Sequence, residues 1–150
     1  MTLAVEQLQV FIDAARDYFS ISTGVDAEVG TPYLIESDRP IVNEYTGLIG
    51  VSGVRKGCVY FTASQVMLKA VLLRMGVKTL GKEEVADLVG EVANTISGAA
   101  RKEFGGQFHI SVPMVVVGTA EPVHLPKSVK CYAIPIVWKS YHANLVIGLN

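Results

Sequence analysis

Glu91 and Asn94 place a carboxylate and a carboxamide one turn apart in the stretch Glu84–Phe104, EVADLVGEVANTISGAARKEF. An amide both donates and accepts hydrogen bonds, and a carboxylate accepts them or pairs with a cation. The apolar spacing of the stretch predicts a long amphipathic helix. At about 100° per residue, Val85, Leu88, Val89, Val92 and Ile96 centre on a stripe roughly 120° from Glu91. Asn94 falls about 60° to the other side, beside Asp87 and Gly98. The pair therefore points outward while the helix is held from behind. Gly98, two turns along from Glu91 on the same face, leaves the backbone uncovered, so another surface has room to come close. This is what a docking helix carrying a small polar reagent pair needs.

On its own the Glu-x-x-Asn spacing says little. Most such pairs are solvated surface residues worth at most a few tenths of a kcal/mol, roughly, in local contact. The other candidates are weaker. Gly47, Gly50, Gly53 and Gly57 are followed by no Gly-Lys-Ser/Thr and open no helix, so they read as hairpin and bulge glycines, not as a phosphate loop. His109, His124 and His142 sit in separate elements without ligand spacing. Ser97 and Ser111 lack a Gly-x-Ser-x-Gly context. Cys58 and Cys131 lie in apolar, strand-like runs and read as small buried hydrophobes. Their separation in sequence makes no metal or redox spacing and leaves a disulfide open.

The bulk properties narrow the class. With 150 residues, half of them hydrophobic and 18% charged, the chain has enough interior for one domain and is not disordered. A formal charge of −1 provides no basic field for nucleic acid. No apolar run is long enough to span a bilayer. Glu6, Asp13 and Arg16 interrupt the N-terminal stretch, which lacks the basic start of a signal peptide. A cytoplasmic location is the natural expectation.

The elements that must position the pair follow from periodicity. Leu3, Leu8, Phe11, Ile12, Ala15 and Phe19 predict a helix over 3–20, ended by Gly24. Strands are expected near 26–36, at 45–53 and at Cys58–Thr62, with a hairpin turn at Val54–Gly57. Ser64 offers an N-cap to a short helix, Gln65–Met75, stopped at Gly76. The long helix, closed by Gly105 and Gly106, leads into strands at 108–118, 130–138 and 143–149. Pro113 and Pro135 mark edges, bulges or breaks. Helix and three strands thus occur twice. Aligning Gly24 with Gly105 sets Val10 opposite Glu91 and Asp13 opposite Asn94, so only the second copy carries the pair. The expectation is a single α+β domain of two pseudo-duplicated units, forming a largely antiparallel sheet covered by helices.

In this setting the chain resembles the CheX branch of the CheC/CheX/FliY family of chemotaxis phosphatases. Leu88–Asn94 resembles the family signature, in which Glu-x-x-Asn sits within GExxN. Ile110–Gly118 resembles the strand after it, Gly50–Val59 the hairpin before it, Ser64 the start of the next helix, and Ala143–Leu149 the closing strand. Family members dephosphorylate the aspartyl phosphate of the response regulator CheY. The resemblance implies that Asn94 orients the attacking water and that Glu91 docks to the receiver's active-site lysine. Asp87 and Gly98 would border the partner. It implies no cofactor in this chain, with Mg²⁺ held by the receiver. CheC-like relatives carry two such motifs and this chain carries one, which resembles the single-site, homodimeric CheX proteins joined through their sheets. A non-catalytic receiver-binding module, related to flagellar switch proteins, is the alternative expectation, and a small-ligand sensor a third.

Overall fold

The computed structural model describes residues 3–119 and 123–150. Helix α1 (Val5–Thr23) is followed by the short strands β1 (Ala27–Val29) and β2 (Tyr33–Ile35). The hairpin β3 (Tyr45–Gly53) and β4 (Gly57–Ala63) comes next, then α2 (Gln65–Arg74) and the long α3 (Lys82–Phe104). Strands β5 (Phe108–Ile110), β6 (Met114–Val117), β7 (Cys131–Trp138) and β8 (Tyr141–Leu149) complete the fold. The predicted caps are present. Gly24 adopts a left-handed conformation, φ 71°, behind α1, and Ser64 Oγ accepts the Met67 N–H at 3.2 Å to start α2. The carboxylate of Glu84 reaches back to the Gly81 N–H at 2.9 Å at the start of α3.

All eight strands join one antiparallel sheet in the order β1-β7-β8-β4-β3-β5, with β2 continuing β1 along β7 and β6 continuing β5 along β3. The two halves interlock. The broken edge strand of the first half pairs with β7 of the second, and that of the second half pairs with β3 of the first. The alignment through the helix-ending glycines holds residue for residue: it carries β1 onto β5, β2 onto the start of β6, and Pro32 onto Pro113.

The two expected strands 26–36 and 108–118 are each split in two, the second at Pro113, where the proline marks a break. The reason is the same bulge in both. Residues 30–32 lie opposite Ile134 and Pro135 of β7, and residues 111–113 lie opposite Ile49 and Gly50 of β3. Pro135 itself stays inside a continuous, central β7, because its missing N–H falls where the neighbouring strand bulges away. Gly30 still donates to the Pro135 carbonyl at 2.8 Å. At the corresponding place in the other half, Ser111 donates its N–H to the Gly50 carbonyl and its Oγ accepts the Gly50 N–H, both at 2.9 Å.

Helices α1 and α3 cover one face of the sheet. Phe11 meets Phe104 at 5.9 Å between ring centroids, and the Trp138 indole N–H donates to Thr23 Oγ1 at 3.1 Å. On the other face a smaller apolar cluster of Cys58, Tyr60, Cys131, Ala133 and Val146 is covered by Val123 and Leu125. Both cysteines are free thiols. They face Gly148 from opposite sides, on β4 and β7. Two strand spacings, about 9.6 Å, separate their backbones, beyond disulfide reach.

Candidate functional site on helix α3

The predicted apolar stripe of α3 is buried: Val85, Leu88, Val89, Val92 and Ile96 are at most 2% exposed. Each such side chain is worth about 1.5–3 kcal/mol relative to exposure, so the helix is firmly seated. Glutamates in its first turn and Arg101 and Lys102 in its last complement the helix dipole.

Seating is closest just before the reagent pair. A Cβ on Gly47 of β3 would stand 2.3 Å from the Val89 carbonyl oxygen and 3.1 Å from Gly90 Cα. A Cβ on Gly90 would meet Val115 at 3.3 Å and Pro113 at 3.4 Å. Two glycines, one on each element, thus let the helix backbone descend onto β3 and the bulge of the edge strand. Gly47 reads locally as a hairpin glycine; its packing role is visible only once β3 lies under α3.

Glu91, Asn94 and Asp87 are all exposed, on one side of α3. Among the described residues no hydrogen bond or ion pair ties the Glu91 or Asn94 side chain to the fold. Gly98 is half-buried, and a Cβ there would meet nothing within 4 Å. Its space is open, as the sequence pattern implied. The structure therefore gathers all four anticipated residues along one helix face.

It also adds residues that the sequence did not single out. Asn94, Gly98, Arg101 and Lys102 line an open cleft of about 630 Å³, with Gly105 and Gly106 at its end. From α1, Tyr18 packs beneath the helix at 4% exposure. Burial pushes its phenol upward, the charge of Glu91 adds to that, and neighbouring Ser22 works the other way. Tyr18 stays protonated, and its hydroxyl has no hydrogen-bond partner among the described residues. Its place on the buried stripe of α1 gave no functional signal.

Other chemistry finds no support at this face. Burial, and then the neighbouring Cys131, push the Cys58 thiol from 9.0 to about 12; burial also raises Cys131. Among the described residues no group of three or more His, Cys, Asp or Glu side chains is placed to hold a metal ion, and no helix is long and apolar enough to cross a membrane. What α3 offers is an amide and a carboxylate, rigidly backed and open to a second macromolecule.

Several known proteins share this architecture. The chain is similar in structure to a putative chemotaxis protein from Desulfovibrio vulgaris Hildenborough, with a TM-score of 0.86 and 24% identity over 100% of both chains. A CheC-like superfamily protein from Shewanella sp. PV-4 superposes with a TM-score of 0.85 and 24% identity, covering 99% of each chain. A CheX from Borrelia burgdorferi, crystallised in complex with CheY, BeF₃ and Mg²⁺, gives a TM-score of 0.81 and 19% identity, covering 98% of this chain and 99% of that one. Among curated proteins none shows a significant sequence match. The model of the chemotaxis phosphatase CheX family matches residues 45–137, which include the β3–β4 hairpin, all of α3, and both Pro113 and Pro135. With that match spanning more than half of its length, the chain belongs to the CheX family of chemotaxis phosphatases.

Proposed function

We propose that this protein hydrolyses the aspartyl phosphate of a CheY-type response regulator, with Asn94 orienting the attacking water and Glu91 clamping the receiver. The observation that carries the reading is the outward, untethered Glu91/Asn94 pair on a helix fixed by glycine contacts directly behind it. Membership of the CheX family supports the reaction class, and the Borrelia relative captured with CheY supports the kind of partner.

The chemistry suits the residue types. An acyl phosphate is already electrophilic, so the catalyst's task is to hold water in line with the leaving oxygen. Asn94 accepts one hydrogen bond from that water and donates another without acting as a strong base. Phosphoryl transfer rewards such positioning more than proton abstraction. A hundredfold acceleration requires only about 2.7 kcal/mol, within the reach of one placed amide. Glu91 accepts from the receiver's active-site lysine and fixes the helix in register. The receiver supplies Mg²⁺. Asp87 adds negative field beside Glu91, and Gly98 gives the receiver backbone room to approach. The reaction belongs to the cytoplasm, where such receivers work.

We further propose a homodimer joined through β6. Among the described residues this strand is a sheet edge that pairs with β3 alone, and its Met114, Val115 and Val117 are exposed. Strand β7, also apolar, cannot serve the same purpose, since it lies between β8 and the edge made by β1 and β2.

The decisive experiment follows phosphate release from a phosphorylated receiver. Asn94→Ala abolishes the acceleration while retaining binding of the beryllofluoride-activated receiver, and Glu91→Ala chiefly weakens that binding. Full activity in the Asn94 variant overturns the water-orienting role. Binding by the wild type without any faster decay of the phosphorylated receiver favours a non-catalytic receiver-binding module.

A further inference from the structure

The outward stripe of α3 changes sign along its length. Asp87 and Glu91 stand on one side of Asn94, and Arg101 and Lys102 on the other, all exposed. Between the two groups lies Gly98, whose absent side chain leaves an open floor. Arg101 and Lys102 form the far wall of the cleft that starts at Asn94. Seven residues of helix separate Arg101 from Asn94, about 10 Å along the axis. Long side chains on a helix lean toward its N-terminus, so the two cations reach back along the cleft toward Asn94 and face the protein surface that surrounds a phosphoryl group there. Among the described residues neither forms an ion pair.

We propose that Arg101 and Lys102 are the orienting anchor for the acidic rim of the receiver's phosphorylation site. The proposal rests on the phosphatase reading and deepens it by naming how the partner is turned. A site that holds Mg²⁺ beside a phosphoaspartate is built from oxygen ligands, carboxylates among them. Such a surface is repelled by Asp87 and Glu91 except where it carries its own lysine. The basic end of the stripe meets its carboxylates, while the acidic end meets its lysine. Docking end-for-end sets like charge on like at both ends, which excludes the wrong orientation. Last-turn cations also stabilise the helix dipole, and that role predicts a change in melting temperature without a change in receiver affinity.

The test combines Arg101→Glu and Lys102→Glu in the full chain, with Arg101→Gln and Lys102→Gln as a milder pair should reversal impair folding. The probe is a CheY-type receiver from the same organism, activated with beryllofluoride and Mg²⁺ for binding and phosphorylated for turnover. Charge reversal weakens binding and raises KM by about tenfold or more at low salt, as lost charge complementarity does. It leaves kcat within about twofold and flattens the salt dependence of KM, because the screened pairs are gone. Arg101→Lys restores affinity. Binding and KM within twofold of the wild type at low salt overturn the proposal, while intact turnover in the same assay leaves the phosphatase reading standing. The converse also separates them: a wild type that binds through these residues but never speeds phosphate release keeps the anchor and loses the phosphatase.

Discussion

Gly47 of β3 lies directly beneath the Val89 carbonyl of α3, so close that a Cβ at residue 47 would stand 2.3 Å from the oxygen. The opposing atom is backbone in a seated helix and cannot swing aside. Gly47→Ala therefore has to push α3 off the sheet. Overpacking of this kind costs about 1–3 kcal/mol, and the displacement begins two residues before Glu91. The expected result is a melting temperature lower by several degrees, together with reduced phosphate release. Unchanged melting would show that α3 tolerates a gap at this point and that its height above β3 does not set the site.

Gly98 presents the opposite case. A Cβ there would meet nothing within 4 Å, so no packing inside the chain calls for glycine. Glycine inside a helix costs roughly 0.5–1 kcal/mol relative to alanine. Gly98→Ala should accordingly stabilise the protein by about that amount in a denaturant titration. If the receiver backbone comes down onto this floor, the same substitution weakens binding of the activated receiver. A variant both more stable and fully active would remove Gly98 from the docking surface.

Cys58 supplies a pH-dependent prediction. Burial, with a smaller contribution from Cys131, raises its thiol from 9.0 to about 12 in the folded protein. The unfolded chain releases this proton near 9.0 while the folded chain holds it until about 12. Fewer protons are then bound in the unfolded state, so stability falls as pH rises. The contribution is fully present below pH 9.0 and is lost progressively toward about 12. Denaturant midpoints measured across that alkaline range should decline less in Cys58→Ala than in the wild type. At pH 8 iodoacetamide should label the native thiols far more slowly than the unfolded ones; fast native labelling would contradict the burial.

Much of this was legible from local pattern, and what was missed shares one cause. The buried stripe of α3, the outward turn of Glu91 and Asn94, the open space at Gly98 and the helix-ending glycines all follow from spacing along a single element. The duplication was legible too, because Gly24 and Gly105 end equivalent helices. Interlocking of the halves was not, since pairing β1 with β7 and β5 with β3 depends on contacts far apart in sequence. For the same reason 26–36 read as one strand, while in 108–118 Pro113 marked the break without showing what it pairs against. Their bulges exist to match Pro135 and Gly50 on strands from the other half. Tyr18 beside Thr95 and Ala99 is likewise a product of α1 packing on α3, and nothing in the periodicity of either helix announces it.

The exposed edge at β6 makes a prediction about assembly. Met114 is 61% exposed and Val117 63%, and Val112 in the adjoining bulge is 83% exposed. An apolar edge strand left open in water invites pairing with another strand, and an identical edge related by a twofold axis satisfies both copies at once. A charge placed at that edge opposes pairing without entering the core. Val117→Lys should therefore shift the protein from dimer to monomer in sedimentation at micromolar concentration, with its melting behaviour otherwise close to the wild type. Strand β6 reaches α3 through Val115, which lies beside Gly90, the residue before Glu91, so phosphate release by the monomeric variant reports whether this edge also borders the receiver. A wild type that sediments only as monomer ends the β6 proposal. Dimers that persist in the Val117 variant move the interface elsewhere, and the other broken edge, where Tyr33 and Leu34 of β2 are exposed, becomes the surface to mutate next.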